Sequence, residues 1–229
     1  MNRYFYPPLI LPFFLVLIIL PFLVILFVLT TPTVFQIVFN LTYDQAMLIF
    51  LFIIIGSFVN IPVYEKEGKI VVVRRTFFGL FYYTVTRRKK ITIAVNIGGC
   101  IIPAILALRL LLEIPPIPWF LVFLVCSAVI YHYARPVPNM GIAVPMFIPP
   151  AISALTSYLV VLSLKMPLIL TPKIAFSAGV LSSLFGADIL HLKDVEKIGS
   201  GVVSIGGAGT FDGIFLTGIF SVVFSVLLI

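Results

Sequence analysis

Residues 7–29 read PPLILPFFLVLIILPFLVILFVL, an unbroken apolar run with no charge in it. A helix needs about 20 predominantly apolar residues to cross the hydrocarbon core of a bilayer. This run is long enough, and it exceeds the apolar core of a signal peptide and lacks a small-residue cleavage site. It is therefore read as a retained helix, kinked at Pro12 and Pro21, because neighbouring helices in a membrane can re-satisfy the groups a proline frees. The rest of the chain has the same character. Of 229 residues, 62% are hydrophobic and 10% charged, with a mean hydropathy of +1.24. Soluble domains run nearer half apolar and a quarter charged, so most of this surface faces lipid.

A second span is expected over Ala46–Val63, after a polar turn from Thr30 to Asp44. Then the composition changes. Between Tyr64 and Lys90 lie eight of the fifteen basic residues and two acids. They flank β-branched and aromatic runs at Ile70–Val73 and Phe81–Thr86, on either side of Gly79, the pattern of a β-hairpin. Further spans are expected over Ile91–Leu112, Ile117–Tyr133, about Pro150–Leu164 and Ile174–Leu190, with a last one ending at Ile229. Pro145, Pro149 and Pro150 deny residues 141–149 a continuous helix, so an extended segment packed against protein is expected there. The fold class expected is all-α and polytopic, about seven transmembrane helices with one basic hairpin inserted in a single integral domain.

The net charge of +7 is not a nucleic-acid signature here, because the cations cluster beside spans. Cytoplasmic loops carry the Lys/Arg excess, which puts the hairpin and the N-terminus in the cytoplasm and the C-terminus outside the cell membrane. The glycosylation-type triplet Asn40-Leu41-Thr42 then falls on the outer face. Cys100 and Cys126 both sit in apolar stretches, where free Cys behaves as a small hydrophobe. They offer neither a disulfide framework nor zinc spacing, and no cofactor or metal is called for.

Acidic residues at membrane depth mark functional sites by default. Six of the eight acids fit loops or span edges. The exceptions are Asp188, in Gly186-Ala187-Asp188-Ile189-Leu190-His191, and Asp212, behind the glycine-rich stretch Ser204–Gly213. Both fall toward the cytoplasmic ends of consecutive antiparallel helices, where they can meet. Two carboxylates in one site do not both ionise comfortably and share a proton, the chemistry of aspartic proteases. The same pair can carry a proton or a small cation. Each residue has a plainer reading: Asp212 as the N-cap of the last helix, Asp188 as a solvated helix end. The glycines 206, 207 and 209 with Thr210 are candidates for bringing backbone close to a substrate, against the plainer reading of a packing turn. His191, one helical turn after Asp188, is a supporting candidate. Asn60 and Asn96 read as interhelical hydrogen-bonding groups.

Two resemblances follow from these residues. Gly-Ala-Asp-Ile-Leu-His-Leu at 186–192, Ser204–Ile219, Asn96–Gly99, Ala134–Pro138 and Pro149-Pro150 together resemble the prokaryotic membrane family called domain of unknown function sixteen-fourteen, found in archaea and bacteria. That resemblance implies no activity. A second similarity is to the presenilin and prepilin-peptidase class of intramembrane aspartyl proteases, which carry one Asp on each of two adjacent helices, the second in Gly-x-Gly-Asp. Here Asp212 follows Gly207-Ala208-Gly209 two residues late, Ala187 rather than Tyr precedes Asp188, and Pro150-Ala151-Ile152 precedes the aspartates. The partners expected are the bilayer and either a membrane-embedded peptide or a small ion. The function classes left are a diaspartyl hydrolase, a proton-coupled carrier, and a scaffold whose hairpin recruits a partner.

Overall fold

A computed structural model describes residues 10–77, 81–137, 141–194, 201–207 and 212–229. The chain divides into two compact units, residues 1–50 and 51–229. The first holds α1 (Ile10–Phe39) and the opening turns of α2 (Tyr43–Gly56). The helix does not stop at the polar turn expected after Leu29. It continues through Thr30, Thr31 and Pro32, because the hydroxyls fold back onto their own helix. Thr31 Oγ1 donates to the Phe27 carbonyl at 2.7 Å and Thr30 Oγ1 to the same oxygen at 3.3 Å. A threonine that satisfies itself this way is tolerated in an apolar helix. Pro21 and Pro32 both lie inside α1. The chain turns at Asn40, whose φ is +53°. It re-enters helix through a reciprocal cap, with the Thr42 N–H on Gln45 Oε1 at 3.1 Å and the Gln45 N–H on Thr42 Oγ1 at 3.4 Å.

The second unit is a helical bundle with a sheet at one end. The expected hairpin is present and longer than predicted. Strands β1 (Asn60–Phe77) and β2 (Phe81–Asn96) pair antiparallel from Asn60↔Asn96 to Phe77↔Phe81. Two expected helix boundaries are thereby corrected. The second apolar helix ends at Gly56 rather than Val63, and residues 91–96 are strand rather than the start of the third span. Both stretches are β-branched-rich, and an apolar run of this length does not distinguish strand from buried helix. A further strand, β5 (Gly201–Ile205), runs parallel to β2 with Ile91↔Gly201 through Val95↔Ile205. The order is β1-β2-β5, so the fold class is mostly helical with a mixed sheet, not all-α with a lone hairpin.

From β2 the chain passes into a π-helical turn, Ile97–Ile101, and α3 (Ile102–Leu110). Next come α4 (Pro116–Tyr133) and a second small hairpin, β3 (Arg135–Val137) with β4 (Gly141–Ala143). Residues 144–147 are non-helical, and α5 (Ile148–Ser163) starts on the paired prolines. Extended backbone over the proline-rich entry was the expectation, and prolines in a helix's first turn lose no intrahelical bond. The chain continues with α6 (Leu170–Ser183), a π-helical segment Leu184–Ile189, and the last helix α7 (Gly213–Leu228).

Helix α6 is the centre of the bundle and packs against α3, α4, α5 and α7. It is buried nearly all round, including Thr171, Ser177, Ser182 and Ser183. Small residues let the backbones close. A methyl on Gly186 would lie 2.7 Å from the Ser127 carbonyl of α4, and one on Gly218 of α7 would lie 2.7 Å from Val180 of α6. Such small-residue contacts are how helices associate without a hydrophobic driving force. Among the described residues, three helices are long and apolar enough to cross a membrane: 14–39, 116–133 and 170–194. The other apolar helices, 43–56, 97–110, 148–163 and 213–228, would span about 21–24 Å at 1.5 Å per residue.

Candidate functional site

Asp188 belongs to the π-helical segment that ends the central helix. Five residues along an α-helix leave a side chain about 140° round from its starting face. A π turn closes i→i+5 bonds instead, and here the Leu190 N–H reaches the Phe185 carbonyl at 3.0 Å. The wider turn brings Ser183 and Asp188 onto one side. Gly186 makes the turn possible where it presses on α4. Asp212 approaches from the other side as the N-cap of α7. Its φ, ψ are −74°, 147° and its Oδ1 accepts from the Ile214 N–H at 2.9 Å. The plainer reading of Asp212 as a cap therefore describes one of its oxygens.

Both carboxylates line one cavity of about 210 Å³, with Ser183, Ala187, Gly213, Ile214, Ile130 and Pro149, closed on one side by Ile142, Ala143 and Val144 of the small hairpin. Both residues are half-buried. Apart from Ser183 the side chains lining it are apolar, and among the described residues the lining holds no Lys, Arg or His. Two carboxylates are one donor short of a minimal metal-binding set, and the described residues hold no cluster of three or more His, Cys, Asp or Glu suited to a metal.

The other candidates lie elsewhere. His191 is buried, with Nδ1 donating to the Gly186 carbonyl at 3.1 Å and its ring against Tyr131 at 4.7 Å. It braces the π segment that carries Asp188 without lining the cavity. Gly206 sits at the third position of a turn closed by the Gly207 N–H on the Ser204 carbonyl at 3.1 Å. Its φ of +74° is what a type II turn demands there. A methyl on Gly206 would lie 2.7 Å from the Cys100 backbone nitrogen, so this turn is a seat for the first π-helical segment. Gly207 is exposed, and neither glycine is in the cavity wall. Gly209 and Thr210 lie outside the described residues. Asn96 is fully buried. It donates to the Ser57 carbonyl at 2.8 Å and to Asn60 Oδ1 at 3.0 Å, and accepts from the Gly99 N–H at 2.8 Å. Ser204 Oγ donates to Asn60 Oδ1 at 2.5 Å. This group ties all three strands to the first π turn, at a place distinct from the carboxylate cavity.

Sequence reasoning missed Ser183 and the wall residues 142–144. Ser183 gave no signal because its i, i+5 relation to Asp188 has no meaning at helical periodicity. The family model described as "Protein of unknown function (DUF1614)" matches residues 54–224, which is 171 of the 229. The chain belongs to this family. The match takes in both carboxylates, the sheet and the small hairpin, and leaves α1 outside it. No curated protein and no solved structure matches the chain.

Proposed function

We propose that this member of the DUF1614 family is a multi-pass membrane protein built around a diaspartyl acid–base site, with Asp212 as base and Asp188 as acid. The observation that carries the reading is that both carboxylates line one cavity from helix ends of opposite polarity. Asp212 caps a helix N-terminus, where the backbone dipoles favour a carboxylate, and Asp188 ends a helix, where they oppose one. Two carboxylates facing one small cavity repel each other, and a shared proton relieves that repulsion. In its sharpest form the pair is an aspartyl hydrolase: the base takes a proton from water as it attacks a carbonyl, and the acid hydrogen-bonds the carbonyl oxygen. The extended strand β4 beside the carboxylates supports a peptide substrate, because extended backbone recognises extended backbone. A second reading, a proton- or cation-coupled carrier, is favoured by a cavity of about 210 Å³, which at about 30 Å³ per water has room for roughly seven waters.

Seven crossings with the hairpin in the cytoplasm, the N-terminus inside and the C-terminus outside the cell membrane complete the proposal. The pairing of β5 with β2 supports one face for the hairpin and the connector before α7. The packing of Ile142 against Ile91 adds the small hairpin to that face. The ion pair of Lys173 with Glu113 at 2.6 Å supports a common opposite face for the start of α6 and the α3–α4 loop. The first face then carries the eight hairpin cations with Arg135 and Lys193, as the positive-inside rule requires.

Dicyclohexylcarbodiimide adds to protonated carboxyls in apolar surroundings and tests the site directly. Mass spectrometry of the labelled protein is expected to find the adduct on Asp188, with its rate changed by Asp212→Asn. Protection by a statine-containing peptide supports the hydrolase; protection by a monovalent cation supports the carrier. An unlabelled Asp188, or a rate indifferent to Asp212→Asn, overturns the diaspartyl reading.

A further inference from the structure

The cavity's third polar side chain has no part in the acid–base pair, yet it is anchored between two helices. Ser183 is 4% exposed and closes α6 where the π segment begins. Its Oγ donates to Thr217 Oγ1 on α7 at 3.1 Å, a fully buried bond between two helices. Thr217 Oγ1 in turn donates to the Gly213 carbonyl at 2.6 Å, one turn back on its own helix. Gly213 is the first residue of α7 and follows Asp212. The hydroxyl chain therefore runs from the cavity wall beside Asp188 to the peptide unit beside Asp212. A threonine bonded back to its i−4 carbonyl bends the helix locally. Here the bend falls in the turn whose Ile214 N–H holds Asp212 Oδ1. A methyl on Gly213 would meet nothing within 4 Å, so close packing around that Cα does not fix the turn.

We infer that Ser183 and Thr217 are positioning residues, a hydrogen-bonded strut between α6 and α7 that holds the two carboxylates at their working separation. The inference rests on the diaspartyl reading and adds what sets its geometry. Because the hydroxyl proton of Ser183 is committed to Thr217, Ser183 offers the cavity an oxygen that only accepts. The group bound between the carboxylates must then present a donor to Ser183, as a water or a protonated amine does and a bare carbonyl does not.

The test is the coupling between the carboxylates, read as the effect of Asp212→Asn on the rate at which carbodiimide labels Asp188 in the purified full chain. A double-mutant cycle isolates that coupling. If Asp212→Asn changes the rate about tenfold in the parent protein, the change is expected to fall to about twofold or less in Thr217→Val and in Ser183→Ala, and to return in Thr217→Ser. A merely structural strut lowers the melting temperature of the variants but leaves the coupling intact, and that result overturns the inference while the diaspartyl site stands. Absence of any effect of Asp212→Asn in the parent overturns the site reading itself. Ser183→Ala, which removes one buried bond and no bulk beyond an oxygen, carries the test where Thr217→Val does not fold.

Discussion

A single methyl at position 98 should cost this protein much of its stability. Gly98 lies in the first π-helical turn, against the last turn of α2. An ideal Cβ there falls 2.0 Å from the Ile53 carbonyl oxygen, 2.5 Å from the Ser57 nitrogen and 2.6 Å from Ser57 Oγ. Two of the three are backbone atoms already bonded to each other, with the Ser57 N–H on the Ile53 carbonyl at 2.9 Å and Ser57 Oγ on the same oxygen at 2.7 Å. The two backbone atoms cannot rotate away, so the segments must separate by more than 1 Å to reach an ordinary contact. Overpacking of this kind costs typically 1–3 kcal/mol and at times more, and a backbone clash belongs at the upper end, about 3 kcal/mol. Alanine recovers at most about 1 kcal/mol of helix propensity over glycine. The net loss of about 2 kcal/mol should lower the melting temperature by about 4–8 °C for a chain of this size. The two cysteines supply the assay, because Cys100 is 4% exposed and Cys126 fully buried. A fluorogenic maleimide stays dark until unfolding exposes them. Cys100 is two residues from the substitution, so Cys126 alone, in a Cys100→Ser background, is the proper reporter. Gly179→Ala is the control: its nearest neighbours are the Ser153 side chain at 3.1 Å and the Thr217 methyl at 3.2 Å, which yield by tenths of an ångström, and its melting temperature should move by less than about 2 °C. A Gly98→Ala protein that melts with the parent would refute the argument that this contact locks α2 to the π turn.

Asn96→Ala removes one side chain that serves three others, and it should destabilise by about 2–4 kcal/mol through the lost cap and the buried groups left unpaired; the same thermal assay reads it, and a shift under 2 °C would speak against the network. The proposed orientation predicts that Val202→Cys, 68% exposed on β5, reacts with an impermeant maleimide only after cells are opened. Leu112→Cys, 89% exposed between α3 and α4, should react in intact cells, and the reverse pattern would invert the topology.

The apolar segments were legible in the sequence because lipid selects for hydropathy whatever the backbone does. Pro116–Tyr133 and Ile148–Ser163 fell within a few residues of their expected bounds, since prolines mark both starts. What failed was the choice between strand and helix where the apolar pattern was short and β-branched. Ile91-Thr92-Ile93-Ala94-Val95 reads as the first turn of a span, but it pairs with β1 on one side and, more than a hundred residues away, with Gly201–Ile205 on the other, which makes it the central strand. Thr30–Pro32 erred the other way: polar residues and a proline read as a turn, but their hydroxyls close onto Phe27 and the helix runs on. At the site, Asp188 and Asp212 stood out because carboxylates are rare in such a chain. Ser183 did not, because serine is common among close-packed membrane helices and only the π winding aims it at Asp188.

The irregular backbone is concentrated at one end of the bundle, and that placement follows from what a membrane tolerates. Open strand edges and unwound turns survive near lipid only when protein or water satisfies them. Here each irregular piece satisfies another. Strand β5 pairs with β2, β3 with β4, and the Gly206 turn seats on the Cys100 backbone. Ile142 of β4 packs on Ile91 of the sheet while also lining the carboxylate cavity. The mixed sheet is therefore no detachable insertion, because its apolar face is the support behind the cavity's wall. Shortening the hairpin beyond Glu65 and Ile91 leaves that support in place, whereas disturbing the pairing of residues 91–95 with 201–205 moves the wall that faces Asp188 and Asp212.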